Sequence, residues 1–252
     1  KKTADTPVFS ADTDIRIGMF NNLAANVGLN LGNAINAAPV GEWRRYSLSA
    51  TGDSDGGQCV PNVRCDVAAS IDVFGWQVET NFYATSYIPT SGSTVTRNVE
   101  RCNSSGALQD FNSTEGVLYV EMAALVDDTI QRAISISNST IQNTAEIFYG
   151  ASSNQVSFRI RAGNSNVTVQ NRTVSDRTQF VKVALKYKDG DIEGFINGVK
   201  EVDRTDSLTF SASLSELAFD RGGNQSHFRG KVRELRTYRT ALTDAELIAL
   251  TT

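Results

Sequence analysis

An all-β fold is predicted for this chain of 252 residues, because three features of its sequence agree. Gly, Asn, Ser and Thr are spread evenly along the whole length, whereas only 4 residues are Pro. Short segments in which apolar and polar residues alternate recur between turn-forming residues, which is the pattern of a β-sandwich. Only one segment, close to the C-terminus, has the pattern of a helix.

The strand candidates are segments with the alternation and the apolar content expected of strands. They are residues 15–20, 43–49, 117–122, 132–137, 146–149, 156–161, 180–187, 192–196 and 231–238. Residues 71–79 carry large side chains on both faces, which indicates a central strand or a bulge at Gly75. Trp76 in that segment is interpreted as a core residue, because apolar strand residues usually pack inward.

Two dipeptides predict tight hairpins in the second half of the chain. Asp189-Gly190 and Asn197-Gly198 each follow an apolar strand candidate. Both pairs accept the positive φ angles of a type I′ turn. We therefore expect a three-stranded antiparallel meander over residues 180–202.

The predicted helix begins at a capping box. Thr243 is followed three residues later by Glu246, and in this arrangement the two side chains satisfy backbone N–H groups of the first turn. Leu242, Leu247 and Leu250 give the segment an apolar side. A short C-terminal helix is therefore expected.

Two units are predicted, with the boundary in a loop-like stretch near residues 90–105. Apolar patterning is strong on both sides, so we place the first unit at residues 1–98 and the second at residues 99–252. The second unit has enough strands for a complete sandwich. The first has fewer and starts at Lys1 without a Met, so we expect a partial jelly roll that upstream residues or a neighbouring subunit complete.

Composition excludes several classes of function. The net charge is −4 and the isoelectric point is about 5.1, whereas a protein that grips a phosphate backbone usually has a basic excess. We expect no nucleic-acid partner. The sequence has no apolar run of the length that a membrane span needs, so no membrane partner is expected. The single histidine excludes a multi-histidine metal site, and no metal and no cofactor are predicted.

Three cysteines allow at most one internal disulfide. Cys59 and Cys65 are the natural pair, because Pro61 and Asn62 between them favour a turn, and Cys102 is left over. Three reduced thiols are an equally good interpretation, since spacing cannot establish the geometry of a disulfide.

No catalytic residues are predicted. Asp189, Asp191 and Glu193 have the alternation of paired glycosidase carboxylates, but Asp189 sits in a turn and Asp191 opens the return strand. These acids are better interpreted as hairpin caps. His227 is better explained as a surface histidine near the last strand candidate than as a member of a catalytic triad. Residues 53–57 are better explained as a polar turn than as a calcium loop.

The preferred binding candidate is the loop at residues 220–227, which joins two expected strands. Its ligand-binding candidates are Asp220, Arg221, Asn224, Gln225 and His227. These side chains form the directional hydrogen bonds that sugar hydroxyls require. A plain connecting loop is the alternative.

Arg229, Lys231 and Arg233 alternate along the last strand candidate and therefore point the same way. A solvated strand edge protected by charge explains them best. The alternative is a patch that docks an acidic glycan or a neighbouring protein.

The second unit resembles the laminin G-like, concanavalin A-like lectin/glucanase sandwich. The matching segments are residues 115–121 (EGVLYVE), 195–200 (FINGVK), 228–238 (FRGKVRELRTY) and 241–247 (ALTDAEL). This resemblance implies the fold of the unit and says little about its ligand.

The first unit resembles the carbohydrate-binding-module-like jelly rolls of tailed-phage structural proteins. The matching segments are residues 41–47 (GEWRRYS), 73–79 (VFGWQVE) and 84–90 (ATSYIPT), with Thr96-Arg97 after them. A segment of this kind followed by a lectin-like sandwich is similar to phage fibre and virion decoration proteins.

The two resemblances imply a non-enzymatic virion structural protein, such as a head fibre, decoration protein or tail-associated adhesin, at the virion surface. Its expected partners are a cell-surface glycan of a bacterial host and other virion proteins, and it is expected to form a homo-oligomer, with a trimer as the common arrangement. Weak glycan attachment would be strengthened by many copies. The alternatives are a glycan-cleaving enzyme on the same sandwich and a purely structural docking module.

Overall fold

The computed structural model describes residues 1–20, 27–49, 60–79, 84–96, 102 and 104–252. The chain divides into two compact units, Lys1–Arg97 and Asn98–Thr252, called unit 1 and unit 2 below. Cys59 and residues 53–57 lie outside the described residues, so the Cys59–Cys65 pairing and the polar turn stay predictions. No helix in the described part of the chain has the length and apolarity that a membrane crossing needs.

The described part of unit 1 contains one antiparallel sheet of three strands in the order β2-β1-β3. The elements are β1 (Ile15–Phe20), β2 (Val27–Asn30), α1 (Gly32–Asn36) and β3 (Val60–Cys65), with a short 3-10 helix at Asp12–Asp14. Phe9, Ile15, Leu31 and Ile35 form its small buried core. The predicted strand at residues 15–20 is confirmed.

Two other strand predictions in unit 1 are wrong. Residues 43–49 and 72–79 belong to no strand, and Ile71 makes only an isolated bridge with Lys2. Trp76 is 52% exposed, which corrects its interpretation as a core residue. The physical reason is that alternation describes a chain able to pair, whereas a strand also needs a hydrogen-bonding neighbour. None of the described residues supplies one here.

Unit 2 is a sandwich of two five-stranded antiparallel sheets, so the all-β prediction is confirmed. The front sheet has the order β12 (Glu216–Ala218), β5 (Arg132–Ser137), β6 (Thr144–Tyr149), β7 (Gln155–Ala162), β8 (Ser165–Thr173). The back sheet has the order β11 (Val199–Arg204), β10 (Ile192–Ile196), β9 (Val181–Lys188), β4 (Glu115–Ala124), β13 (Gly230–Tyr238). A 3-10 helix at Leu108–Asp110 precedes β4, and α2 (Asp244–Thr251) follows β13.

The core of unit 2 is built from alternate residues of both sheets. Ile134, Ile147 and Phe158 of the front sheet and Val183 and Leu185 of the back sheet are fully buried in it. Because successive strand residues point to opposite faces, the residues between them lie on the outer faces. Burial of this apolar surface drives the two sheets together.

The predicted meander is confirmed as β9-β10-β11. Asn197 and Gly198 have φ angles of 47° and 81°, as a type I′ turn requires. At Asp189-Gly190 only Gly190 has a positive φ, so the type I′ prediction is wrong there. The Asp189 carboxylate instead accepts a hydrogen bond from the Leu208 N–H at 2.8 Å, which ties the turn to a later segment.

The predicted helix is confirmed as α2. The Thr243 hydroxyl accepts from the Glu246 N–H at 3.4 Å, and the Glu246 carboxylate accepts from the Thr243 N–H at 2.8 Å. Leu247 is fully buried against Tyr119 and Phe195 of the back sheet. The helix therefore covers the outer face of that sheet.

Candidate ligand-binding face of the front sheet

The outer face of the front sheet, called the front face below, is polar and yet buried. Its residues alternate with core residues and are at most 8% exposed: Ser135, Ser137, Thr144, Glu146, Ser157, Arg159 and Glu216. Buried polar groups cost free energy unless they find partners. Each buried polar side chain of the front face therefore needs a partner.

An ion pair lies at the centre of the front face. Glu146 of β6 and Arg159 of β7 are register partners, and Glu146 is fully buried. Arg159 Nη2 donates to Glu146 Oε2 at 2.8 Å, and Arg159 Nε contacts the other carboxylate oxygen. The guanidinium also lies 4.4 Å from the centroid of the Phe148 ring. Two-point pairing and stacking fix the Arg159 side chain in one position.

Arg221 reaches this pair from the loop between β12 and β13. Its Nε lies 3.7 Å from Glu146 Oε1, and its side chain is 19% exposed. Burial is the largest influence on its pKa and lowers it; Glu146 opposes this effect, whereas Arg159 and Arg161 add to it. Glu146 is already paired with Arg159, so the positive charge of Arg221 is only partly compensated.

Three buried donors of the front face have no hydrogen-bond partner among the described residues. They are Arg221 Nε, Arg161 Nε and Ser135 Oγ. Ser135 is the register partner of Glu146, and Arg161 is close enough to influence the pKa of Arg221. Buried groups of this kind are rare in folded proteins, so each of the three needs an explanation.

One side-chain and one backbone hydrogen bond hold the loop that carries Arg221. The buried Asp220 carboxylate accepts from the Gly222 N–H at 2.6 Å, and the Arg221 N–H donates to the Gln225 carbonyl at 2.7 Å. Gly222 has a φ of 91°, and a Cβ there would lie 2.5 Å from the Thr140 carbonyl oxygen. Only glycine fits this position, so the loop packs closely against the turn between β5 and β6.

The structure separates the five binding candidates of this loop into two groups. Arg221, Asp220 and His227 lie together at the edge of the front face, where His227 Nδ1 is 3.9 Å from Asp220 Oδ2. Asn224 and Gln225 are exposed. Asp220 has a structural role in the turn, and only Arg221 reaches the ion pair.

Sequence reasoning missed the sheet residues of this site, which are Ser135, Glu146, Arg159 and Arg161. A signal was present, because Glu146 lies between apolar neighbours in a short strand (TAEIFY), and Arg159 does so in the next (QVSFRIRA). A charged residue inside such a segment either faces solvent or pairs with another charge. The sequence does not show which strands become neighbours.

The acids weighed as paired carboxylates lie on the other side of the sandwich. Lys186 Nζ is 2.8 Å from Asp191 and 2.6 Å from Glu193, and Lys200 Nζ is 2.6 Å from Glu193. Asp189 accepts from the Ser207 hydroxyl at 3.1 Å. Each acid therefore has a structural partner.

The remaining candidates lie at the surface. Cys65 and Cys102 are exposed. Lys231 and Arg233 lie exposed on β13, an edge strand, and the exposed Arg229 directly precedes it. Arg233 Nη1 is 2.9 Å from Glu121 Oε1. Within the described residues, no cluster of three His, Cys, Asp or Glu side chains has the arrangement of a metal site.

Comparisons with known proteins agree with this fold. The family model of the concanavalin A-like lectin/glucanases superfamily matches residues 118–248. The solved structure described as NanB plus Optactamide has a TM-score of 0.50 at 18% identity, and the match covers 64% of this chain and 28% of that chain. No curated protein matches the sequence.

Two further solved structures match the chain less closely. The Ruminococcus gnavus IT-sialidase CBM40 bound to α2,6-sialyllactose has a TM-score of 0.49 at 17% identity, with 61% of this chain and 96% of that chain covered. Domain 4 of AbnA, an extracellular arabinanase of Geobacillus stearothermophilus, has a TM-score of 0.44 at 15% identity, with 58% and 70% covered. At such identities the likeness concerns the fold alone. The family match spans more than half of the chain, which therefore belongs to the concanavalin A-like lectin/glucanases superfamily.

Proposed function

We propose that the front face of unit 2 binds glycans that carry a carboxylate. The observation that supports this most directly is the group of buried donors without a partner among the described residues, Arg221 Nε, Arg161 Nε and Ser135 Oγ. A carboxylate offers two oxygens that accept such donors, and its charge compensates Arg221. A neutral sugar offers hydroxyls but no charge.

The Glu146–Arg159 pair supports this assignment by its position. It occupies the Glu146 carboxylate, so Arg221 keeps capacity for an acceptor from outside. Ser135 on the neighbouring strand β5 lies beside the ion pair. Its hydroxyl is one of the polar groups that orient a ligand in a binding site. The ligand would thus be held by the guanidinium donors of Arg221 and Arg161 and by the Ser135 hydroxyl.

A pair of matched glycans tests this proposal. Lactose and α2,6-sialyllactose differ by one carboxylate-bearing sugar, and their dissociation constants for the full chain can be compared by NMR titration. We expect sialyllactose, or another acidic glycan on an array, to bind in preference to neutral glycans. Equal affinity for the neutral and acidic glycans, or binding to neither class across the array, would contradict the proposal.

The wider role proposed for the chain is that of a non-enzymatic structural protein at the surface of a phage particle, where it contacts the host glycan and other virion proteins as a homo-oligomer, with a trimer as the expected state. The resemblance of residues 41–47, 73–79 and 84–90 to phage modules supports this role. Locating the chain by mass spectrometry and electron microscopy of purified particles tests it. Release of reducing ends from a polysaccharide would instead favour the enzyme alternative.

A further inference from the structure

Three basic side chains lie together on the outer face of the back sheet. They are Lys182 of β9 and Lys231 and Arg233 of β13, called the basic patch below. Both strand neighbours of Lys182 pack in the sandwich core, and so does Val232, which follows Lys231. Because successive strand residues point to opposite faces, Lys182 and Lys231 point outward, away from the core.

Arg233 lies across the sheet face and not at the strand edge. Its guanidinium is 3.8 Å from the centroid of the Phe180 ring, and its Nη1 is 2.9 Å from Glu121 Oε1. Phe180 directly precedes β9, and β4 lies between β9 and β13. The side chain therefore reaches over β4. Protection of an edge strand explains neither this position nor Lys182, which belongs to an interior strand.

The acids of this region do not balance the basic patch. Glu121, the register partner of Lys182, is occupied by Arg233. Glu234 accepts a hydrogen bond from Arg236 Nε at 2.8 Å. In the part of the chain that the structure describes, Lys182 and Lys231 form no ion pair. The face is thus locally positive although the chain has a net charge of −4, and such a surface attracts anions.

The spacing of the cations favours a ligand with repeated charges. Lys182 and Lys231 lie two strands apart, which is about 10 Å across a sheet. A single small anion contacts only one of them closely, and one exposed ion pair contributes little affinity. A polymer with anionic groups at intervals contacts several cations at once, so the weak contacts add.

The surroundings of the basic patch favour a polysaccharide over a protein. Protein interfaces depend on apolar or aromatic anchors near their centre. The large apolar side chains that are exposed in the described part of unit 2 all lie outside β4, β9 and β13: Leu108, Ile130, Val169, Val199 and Ile248. The ring of Phe180 is covered by Arg233, so it is not available to stack on a nucleic-acid base.

We propose that the basic patch binds polysaccharides that carry repeated sulfate or carboxylate groups. The basic patch and the front face lie on opposite sheets of the sandwich and share no residue. The front face takes one carboxylate of a glycan, whereas the basic patch takes the charge of a polymer. The two sites can therefore be tested separately.

A pair of matched polymers tests the proposal. Fluorescently labelled dextran sulfate and dextran of equal length differ in their charge, and fluorescence anisotropy with the full chain measures their dissociation constants. We expect dextran sulfate to bind at low salt and to be released as the salt concentration rises, because exposed charges are screened. We expect no binding of dextran. Polyglutamate and oligothymidylate of similar charge are the protein and nucleic-acid probes, and both should bind more weakly than dextran sulfate.

Two double variants with the same change of net charge locate the site. Lys182→Gln with Lys231→Gln should weaken dextran sulfate binding about tenfold at low salt, because two of several additive ion pairs are lost. Lys188→Gln with Arg239→Gln is the control, since Lys188 ends β9, Arg239 follows β13, and both are exposed at the opposite end of these strands. It should leave binding unchanged. Melting temperatures establish that both variants are folded, and the exposed Lys231→Gln alone replaces the first variant if it is not.

Four results would overturn the proposal. They are equal binding of dextran and dextran sulfate, no binding of dextran sulfate at low salt, equal losses in the two double variants, and tighter binding of polyglutamate or oligothymidylate than of dextran sulfate. Affinity for sialyllactose should not change in either double variant. A chain that binds dextran sulfate through the basic patch but no acidic glycan at the front face would contradict the proposed function and support this inference.

Discussion

The two outer faces of the unit 2 sandwich differ in what stabilises their buried side chains. The back sheet presents Val117, Tyr119, Ala184 and Phe195, and Leu247 of α2 covers them. The front sheet presents a buried ion pair, Glu146–Arg159, with Arg221 added from a loop. An apolar face needs only contact with another apolar surface, whereas a buried charged face also needs a partner for each charge and each donor.

The largest effect should follow from breaking the ion pair of the front face. Glu146→Gln leaves Arg159 buried without its countercharge, and we expect the free energy of unfolding to fall by about 3–5 kcal/mol. Urea denaturation of wild type and variant measures this. Glu201→Gln is the matched control, because Glu201 is partly exposed and its Oε2 lies 3.6 Å from Arg172 Nε. This substitution should change the free energy of unfolding by less than about 1 kcal/mol. Equal changes in the two variants would mean that the front-face pair is not specially buried.

The apolar back face should respond almost as strongly to the loss of its cover. Leu247→Ala removes a fully buried side chain between α2 and the back sheet, so we expect a loss of about 2–4 kcal/mol in unfolding free energy. Affinity for acidic glycans should not change. Ile248→Ala on the exposed side of α2 is the control, and a larger effect there would show that the helix packs by a different face.

A smaller and more selective effect is expected at Arg221. Arg221→Lys keeps the charge but removes the Nε donor and the planar guanidinium. We expect about a tenfold loss of affinity for sialyllactose, which corresponds to roughly 1.4 kcal/mol, with little change in unfolding free energy. Titration of the exposed Arg229→Lys variant is the control. Unchanged affinity in Arg221→Lys would exclude Arg221 from the ligand site.

The smallest effect concerns the ion pair that ties α2 to the back sheet. The hydrogen bond from Lys200 is the largest cause of a lowered pKa at Asp244, and Lys200 Nζ lies 2.6 Å from Asp244 Oδ2. A carboxyl with a lowered pKa stabilises the fold above its unfolded value of 3.8, and this contribution disappears as the pH falls through the lower folded value. Asp244→Asn should therefore cost less than about 1 kcal/mol at neutral pH, because the pair is exposed.

The pH dependence distinguishes this contribution from simple packing. Melting temperatures of wild type and Asp244→Asn, compared at neutral pH and in acid, should converge as the carboxyl is protonated. A difference that persists unchanged in acid would mean that Asp244 acts through packing and not through its charge.

Local sequence patterns predicted the secondary structure correctly where it depends on residues adjacent in the chain. Asn197-Gly198 predicted a type I′ hairpin, and Thr243 with Glu246 predicted the start of α2. Both features form within a few residues, so no distant partner is needed. Residues 43–49 had equally good alternation but form no strand, because pairing is decided by a neighbour outside the segment.

The candidate site was only half predictable for the same reason. Arg221 was identified from the composition of its loop, whereas Glu146, Arg159 and Ser135 were missed within their strands. Their polar side chains are separated along the chain by a turn or by a whole strand. They meet because β5, β6 and β7 pair in one register, and this register depends on the complete sandwich core.

The sequence by itself determined the all-β class, the hairpin meander, the capped helix and the loop that carries Arg221, since each depends on local conformational preference and alternation. Only the tertiary structure decided that the polar residues of the front sheet are buried and that Arg159 forms the ion pair with Glu146. It also decided which aromatic side chains of unit 1 remain exposed. The physical reason is that burial and ion pairing are properties of neighbours in space, which local sequence patterns do not specify.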